Sequence, residues 1–199
     1  MSDPQPAFRF EPLGEHDRAA FSCGVEPLDL YLREQASQDA RRHAAATFVL
    51  VTADNRIAGY YTLSASVILA GDDLPADTVK KLKWPRYPQL PATLIGRLAR
   101  HIEFRGQHIG ELLLIDALKR ALNSAESVGS PAVIVDAKDE KASRFYAQQG
   151  FLAFPDTPDR LYLPMKTGEK LFAGTQAGSL MAKIKSLENS LARIKTKRG

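Results

Sequence analysis

The sequence predicts an α/β fold built on a mixed sheet, and three observations carry that expectation. Strand-like and helix-like stretches alternate through most of the 199 residues, as layered α/β proteins do. Two apolar runs, at 46–52 and 57–65, flank Asp54-Asn55 in the manner of an antiparallel hairpin. Residues 93–114 then read as strand, glycine-containing turn and helix: Leu94, Gly96 and Leu98 alternate with Ile95, Arg97 and Ala99. After Arg105-Gly106 the apolar positions resume at helical spacing with Ile109, Leu112, Leu113 and Ala117.

The remaining elements follow in order. Residues 8–12 alternate weakly and read as a first strand. Phe21 to Asp29 is a turn leading into a helix, with Pro27 near its first position. Leu28, Leu30, Tyr31, Leu32 and Ala36 give that helix an apolar side, and it is expected to run to about Arg42. Residues 70–91 hold four prolines and read as a long loop with one short helix at 76–81. Residues 132–136 form a short apolar strand. Asp139-Glu140 opens a helix with acids in its first turn, as the helix dipole prefers, and Gly150 closes it. Residues 151–154 and 161–164 read as the last two strands. Residues 1–173 are expected to form one domain and 174–199 a basic helical extension. In that extension Leu180, Ile184, Leu187, Leu191 and Ile194 make a two-heptad seam.

Composition sets limits. With 44% hydrophobic and 25% charged residues, the chain resembles ordinary soluble domains. The single Cys23 excludes an internal disulfide and a cysteine metal site. No apolar run approaches the roughly 18 residues that span a bilayer. The opening Met-Ser-Asp-Pro-Gln-Pro lacks a basic-then-apolar leader, so a cytoplasmic location is expected. The net charge of +4 is unevenly spread: residues 174–199 hold six basic residues and one acid, net +5. That leaves 21 basic and 22 acidic residues elsewhere, net −1, so the basic pI alone argues for no polyanionic partner. His16, His43 and His101 lack ligand partners at useful spacing, and no metal is expected.

The turn at 105–110 is where chemistry is expected. A helix N-terminus presents unpaired N–H groups and the positive end of the helix dipole, which hold an anion, and Arg105 adds a cation. Arg105-Gly106-Gln107-His108-Ile109-Gly110 resembles the Arg/Gln-x-x-Gly-x-Gly/Ala motif of GNAT-type N-acetyltransferases, with His108 in place of the motif's central glycine. The resemblance implies acetyl-CoA as co-substrate, its pyrophosphate cradled by these six residues. It implies a mixed sheet of about six or seven strands with helices on both faces. It also implies that Leu98, Ala99 and Arg100 contact the acetyl and pantetheine arm. The stretch from Val135-Asp136 to Phe145-Tyr146, Gly150 and Phe151 is similar to the segment that closes the acetyl-CoA site in that family. By that resemblance Tyr146 is the acid that protonates the leaving thiolate.

Further strings resemble the GNAT toxins of bacterial toxin–antitoxin pairs: Phe21-x-Cys23-Gly24, Gly59-Tyr60-Tyr61, Pro85-Arg86-Tyr87-Pro88, Leu94 to Ala99 and Val135 to Lys138. The similarity covers roughly residues 8 to 166. It implies acetylation of the α-amino group of aminoacyl-tRNA, a block on translation and neutralisation by a ribbon-helix-helix antitoxin. A second copy of the chain is a further candidate partner. An α-amino group has a pKa of about 7.7–8.0, so a dedicated base is less necessary than for lysine. Asp136 is the nearest candidate for one, with a cap or ion-pair role as the alternative. For tRNA, the candidate cations are Arg33, Lys80, Lys81, Lys83, Arg86 and Arg97, interleaved around residues 80–87 with Trp84 and Tyr87. Solvated surface charge is the competing account of each. Two other functions stay open: acetylation of a small amine or a protein, and non-catalytic acyl-CoA binding.

Overall fold

The computed structural model describes residues 8–173, so the extension at 174–199 and its apolar seam lie outside the described residues. Seven strands form one sheet in the order β1-β2-β3-β4-β5-β7-β6. They are β1 (Phe8–Pro12), β2 (Ala46–Thr52), β3 (Ile57–Leu69), β4 (Gln89–Arg100), β5 (Ala132–Asp136), β6 (Leu152–Ala153) and β7 (Arg160–Pro164). The β1–β2, β5–β7 and β6–β7 ladders are antiparallel and β4–β5 is parallel, so the sheet is mixed. The helix α4 (Ile109–Ala125) makes the crossover that a parallel pair requires. The other helices are α1 (Glu26–Leu30), α2 (Ala36–Arg41), α3 (Ala76–Lys81), α5 (Glu140–Gln148) and α6 (Met165–Ala173).

The packing divides the chain into two compact units, and each has its own core. The first comprises the described chain up to Thr62 together with Arg97–Ala117. Here Phe21, Tyr31, Leu32, Val49, Val51, Ile57, Tyr60 and Ala99 are buried together. The expected hairpin is present: Asn55 takes a left-handed φ of 63°, and Thr52 and Arg56 close the turn through their backbones at 3.0 Å. Gly59 makes a tight contact. A Cβ there would lie 2.7 Å from Leu113 Cδ1 and 2.9 Å from the Ala99 carbonyl, so β3 and α4 approach closely only because the side chain is absent.

The second unit comprises Leu63–Gly96 and Leu118–Ala173. Ile68, Leu74, Val79, Trp84, Leu90, Ala92, Ala132, Ile134, Phe154 and Tyr162 make its core. Three features differ from the sequence expectation. The stretch at 70–91 is the expected loop with its short helix at Ala76–Lys81, except that β4 already begins at Gln89, and β3 runs past its expected end to Leu69. Pro91 lies in β4 ahead of the β4–β5 ladder at Thr93–Ile95, so its missing N–H takes nothing from that ladder. The first helix contains a π-helical turn at Tyr31–Gln35 between α1 and α2. Helix α6 is not expected from the sequence, where Gly168 lowers the local helix propensity; it lies beside Leu122 and Leu163.

Candidate active site

The turn at 105–110 belongs to the first unit. Beyond β4, His101 caps a short 3-10 helix, Ile102–Phe104, by accepting the Glu103 N–H at Nδ1 (3.2 Å). Its Nε2 lies 3.2 Å from the Ala20 carbonyl, so the ring is held at both nitrogens. Phe104 is buried against Phe8 and His101 and pins the chain before it turns. Gly106 at φ 76° and His108 at φ 55° then reverse the direction. The first helical bond of α4 runs from the Leu112 N–H to the His108 carbonyl at 3.1 Å. Ahead of it, the N–H groups of Ile109, Gly110 and Glu111 have no acceptor four residues back within the helix. These donors, with exposed Arg105, suit a pyrophosphate. Arg105 extends over the loop before α1, 3.6 Å from where a Gly24 Cβ would be. The His108 ring turns along the helix to meet Glu111 Oε2 at 3.0 Å.

Leu98, Ala99 and Arg100 lie at the end of β4. The ladder with β5 covers Thr93–Ile95, whereas β4 runs on to Arg100, so all three lie past the point where that ladder ends. Arg97, a candidate for cofactor or RNA, places its guanidinium 3.5 Å from the centre of the Tyr31 ring, a cation–π contact. Tyr31 in turn donates to Asp39 at 3.0 Å; burial first, and that acceptor second, push its phenol above the ordinary range.

Tyr146 belongs to the second unit. Helix α5 is started by Asp139, which accepts the Ala142 N–H at 2.8 Å, and it carries Tyr146 inward to pack on Phe145 and Phe151. Burial foremost, and the Asp136 carboxylate next, push the phenol well above its usual pKa. The group therefore stays protonated across the physiological range, as a hydrogen-bond donor or acid must. Asp136, the last residue of β5, faces Arg160 across the β5–β7 ladder, with Arg160 Nε 3.7 Å from its Oδ1. Sequence reading missed Arg160, because only strand register brings residues so distant in the chain together.

Lys80, Lys81, Lys83 and Arg86 are all exposed on α3 and the segment after it, and Tyr87 is 64% exposed beside them. Trp84 is not a surface platform: it is buried in the core, edge-on to Tyr162 at 6.0 Å. Arg33 is exposed in the π-helical turn. Cys23 is structural. Its N–H donates to Asp29 at 2.8 Å, and burial, then Asp29, push its thiol up to about 11. Buried Asp29, also accepting from Ser22 at 3.1 Å, holds the turn before α1. Among the described residues no group of three or more His, Cys, Asp or Glu side chains could hold a metal ion.

The chain is similar to several known proteins. A tRNA-acetylating toxin of Mycobacterium tuberculosis is 34% identical over 155 residues, covering 78% of this chain and 90% of that protein. A probable toxin TacT of Sinorhizobium fredii is 30% identical over 167 residues, covering 79% and 91%. Among solved structures, a tyrosine-to-phenylalanine mutant of KacT superposes with a TM-score of 0.76 at 31% identity, covering 83% of this chain and 99% of its own. AtaT complexed with acetyl-methionyl-tRNA gives 0.75 at 30% identity over the same shares. AtaTR bound with acetyl-CoA gives 0.72 at 29% identity, covering 84% and 99%. The acetyltransferase (GNAT) family itself matches residues 10–151, a span that holds β4, the 105–110 turn and Tyr146, and the chain belongs to that family.

Proposed function

We propose that the protein is an acetyl-CoA-dependent N-acetyltransferase toxin that acetylates the α-amino group of aminoacyl-tRNA, so blocking translation, and that a ribbon-helix-helix antitoxin neutralises it in the cytoplasm. The observation that carries the reading is the start of α4: three first-turn N–H groups ahead of the first helical bond, with Arg105 at their mouth. The substrate class is supported by relatives of matching length, one a tRNA-acetylating toxin and one seen with acetyl-methionyl-tRNA. AtaT is also known bound to the C-terminus of its antitoxin AtaR. No helix among the described residues is long and apolar enough to cross a membrane.

In this mechanism Arg105, Gly106, Gln107, His108, Ile109 and Gly110 bind the pyrophosphate, and the backbone of Leu98, Ala99 and Arg100 takes the acetyl arm. Tyr146 gives its proton to the sulfur as the carbon–sulfur bond breaks; its buried, fully protonated phenol is ready for that step. Exposed Lys80, Lys81, Lys83 and Arg86, with Arg33, supply positive charge for the tRNA backbone.

The test is to induce wild type and Tyr146→Phe in cells and analyse the aminoacyl-tRNA pool by mass spectrometry. Wild type is expected to yield N-acetyl-aminoacyl-tRNA, and the variant at least about 100-fold less, the usual scale for losing a general acid. Growth arrest with no acetylated tRNA would move the substrate to a protein or small amine. An undiminished variant would remove Tyr146 from the reaction.

A further inference from the structure

We propose that Asp136 takes the proton from the attacking amine, with Arg160 and Ser66 holding it in position. The inference rests on the acetyl-transfer reading above and supplies the group which that reading leaves without a name. The need is chemical. When an amine replaces a thiolate at a carbonyl, one proton must leave nitrogen and one must reach sulfur. Tyr146 supplies the second and is left as a phenolate in a buried site, where an unpaired charge is costly. A nearby group that collects the first proton and hands one back would close that cycle within the site.

Three strands of the second unit place such a group. Asp136 ends β5, with its side chain 59% exposed and open to an incoming amine. Arg160, its register partner at the start of β7, puts Nε 3.7 Å from Asp136 Oδ1 and Nη2 3.5 Å from Ser66 Oγ on β3. Both contacts are at the long limit, and the buried Arg160 Nε has no hydrogen-bond partner. A guanidinium set this way holds the carboxylate by charge while leaving its oxygens available. Lys138 pairs with Asp139, and Asp139 caps α5. The Asp136 charge also reaches the Tyr146 phenol, so the two groups sense each other.

The protons balance. The nitrogen lone pair forms the bond to the acetyl carbon, and the carbon–sulfur pair leaves with sulfur. The Tyr146 hydroxyl proton goes to sulfur and the nitrogen proton to an Asp136 oxygen. The Asp136 carboxylic acid then returns a proton to the Tyr146 phenolate, directly or through one water. That last transfer is downhill, since a carboxylic acid is stronger than a phenol by about six pKa units.

The experiment compares wild type, Asp136→Asn and Asp136→Glu with two acceptors, charged total tRNA and methionine methyl ester, alongside acetyl-CoA affinity by calorimetry and melting temperature. Asp136→Asn is expected to lower kcat about 100-fold while acetyl-CoA affinity and melting temperature hold. The deficit should narrow from about pH 6.5 to about pH 9, as hydroxide replaces the missing acceptor, and Asp136→Glu should recover most of the rate. A kcat loss under about threefold, or one matched by lost affinity or stability, would overturn the assignment and leave Asp136 as a structural partner of Arg160. Wild type that acetylates the ester but not tRNA would sink the tRNA reading and keep the Asp136 comparison in force. Wild type active on neither acceptor would sink both.

Discussion

His108 occupies the backbone position where the resemblance calls for glycine, and it does so at φ 55°, in the left-handed region. A non-glycine residue there costs about 1–2 kcal/mol, while glycine would lose about 0.5–1 kcal/mol through its freer unfolded chain. His108→Gly is therefore expected to leave stability unchanged or raise it by up to about 1 kcal/mol. His108→Val, β-branched and ill-suited to positive φ, should lower it clearly. Thermal melts of the two variants check this, with calorimetry showing acetyl-CoA bound at least as tightly by the glycine variant. A glycine variant that melts below the valine variant would mean that the imidazole–Glu111 contact, not backbone strain, governs the turn. At this scale the sequence marked the substitution but not its conformation. It gave no sign that Arg97 stacks on Tyr31, because a cation–π partner 66 positions earlier in the chain leaves no local pattern.

Helices and strands were legible wherever periodicity was local. The strands at 8–12, 46–52 and 132–136, and the short helix at 76–81, lie where alternation or apolar runs place them. Misreadings came where tertiary packing overrides local preference: a proline inside β4, a glycine inside α6 and a tryptophan drawn from a charged segment into the core. The contact between β3 and α4 is of that kind too, since Gly59 gives no hint in sequence that its missing Cβ matters. Gly59→Ala would press on the Leu113 methyl, which can swing, and on the Ala99 carbonyl, which cannot without moving β4. The expected loss is about 1–3 kcal/mol, read as a lower urea midpoint at unchanged slope. Because Ala99 belongs to the proposed acetyl-arm site, acetyl-CoA affinity should fall in the same variant. An alanine variant with wild-type midpoint would show that β3 and α4 have slack here.

For the whole molecule, charge distribution sets what can hold tRNA. The body carries net −1, and residues 174–199 carry +5. Within the body the exposed cations Lys80, Lys81, Lys83 and Arg86 are gathered on one segment. If both regions contact phosphates, each neutralised phosphate adds about 0.7–0.9 to the slope of log affinity against log salt. Deleting 174–199 should then weaken tRNA binding and reduce that slope by up to about 4, for a net +5. Turnover on methionine methyl ester should not change, since the acetyl-transfer residues all precede the deletion. Changing the four body cations to glutamine should lower the slope by up to about 3 and leave ester turnover intact as well. Filter binding across a salt series, run beside the ester assay, separates the contributions. A deletion that leaves the slope untouched would confine the RNA footprint to the body. A deletion that abolishes ester turnover would instead tie the extension to the reaction itself, because the ester carries no phosphates for the extension's cations to hold.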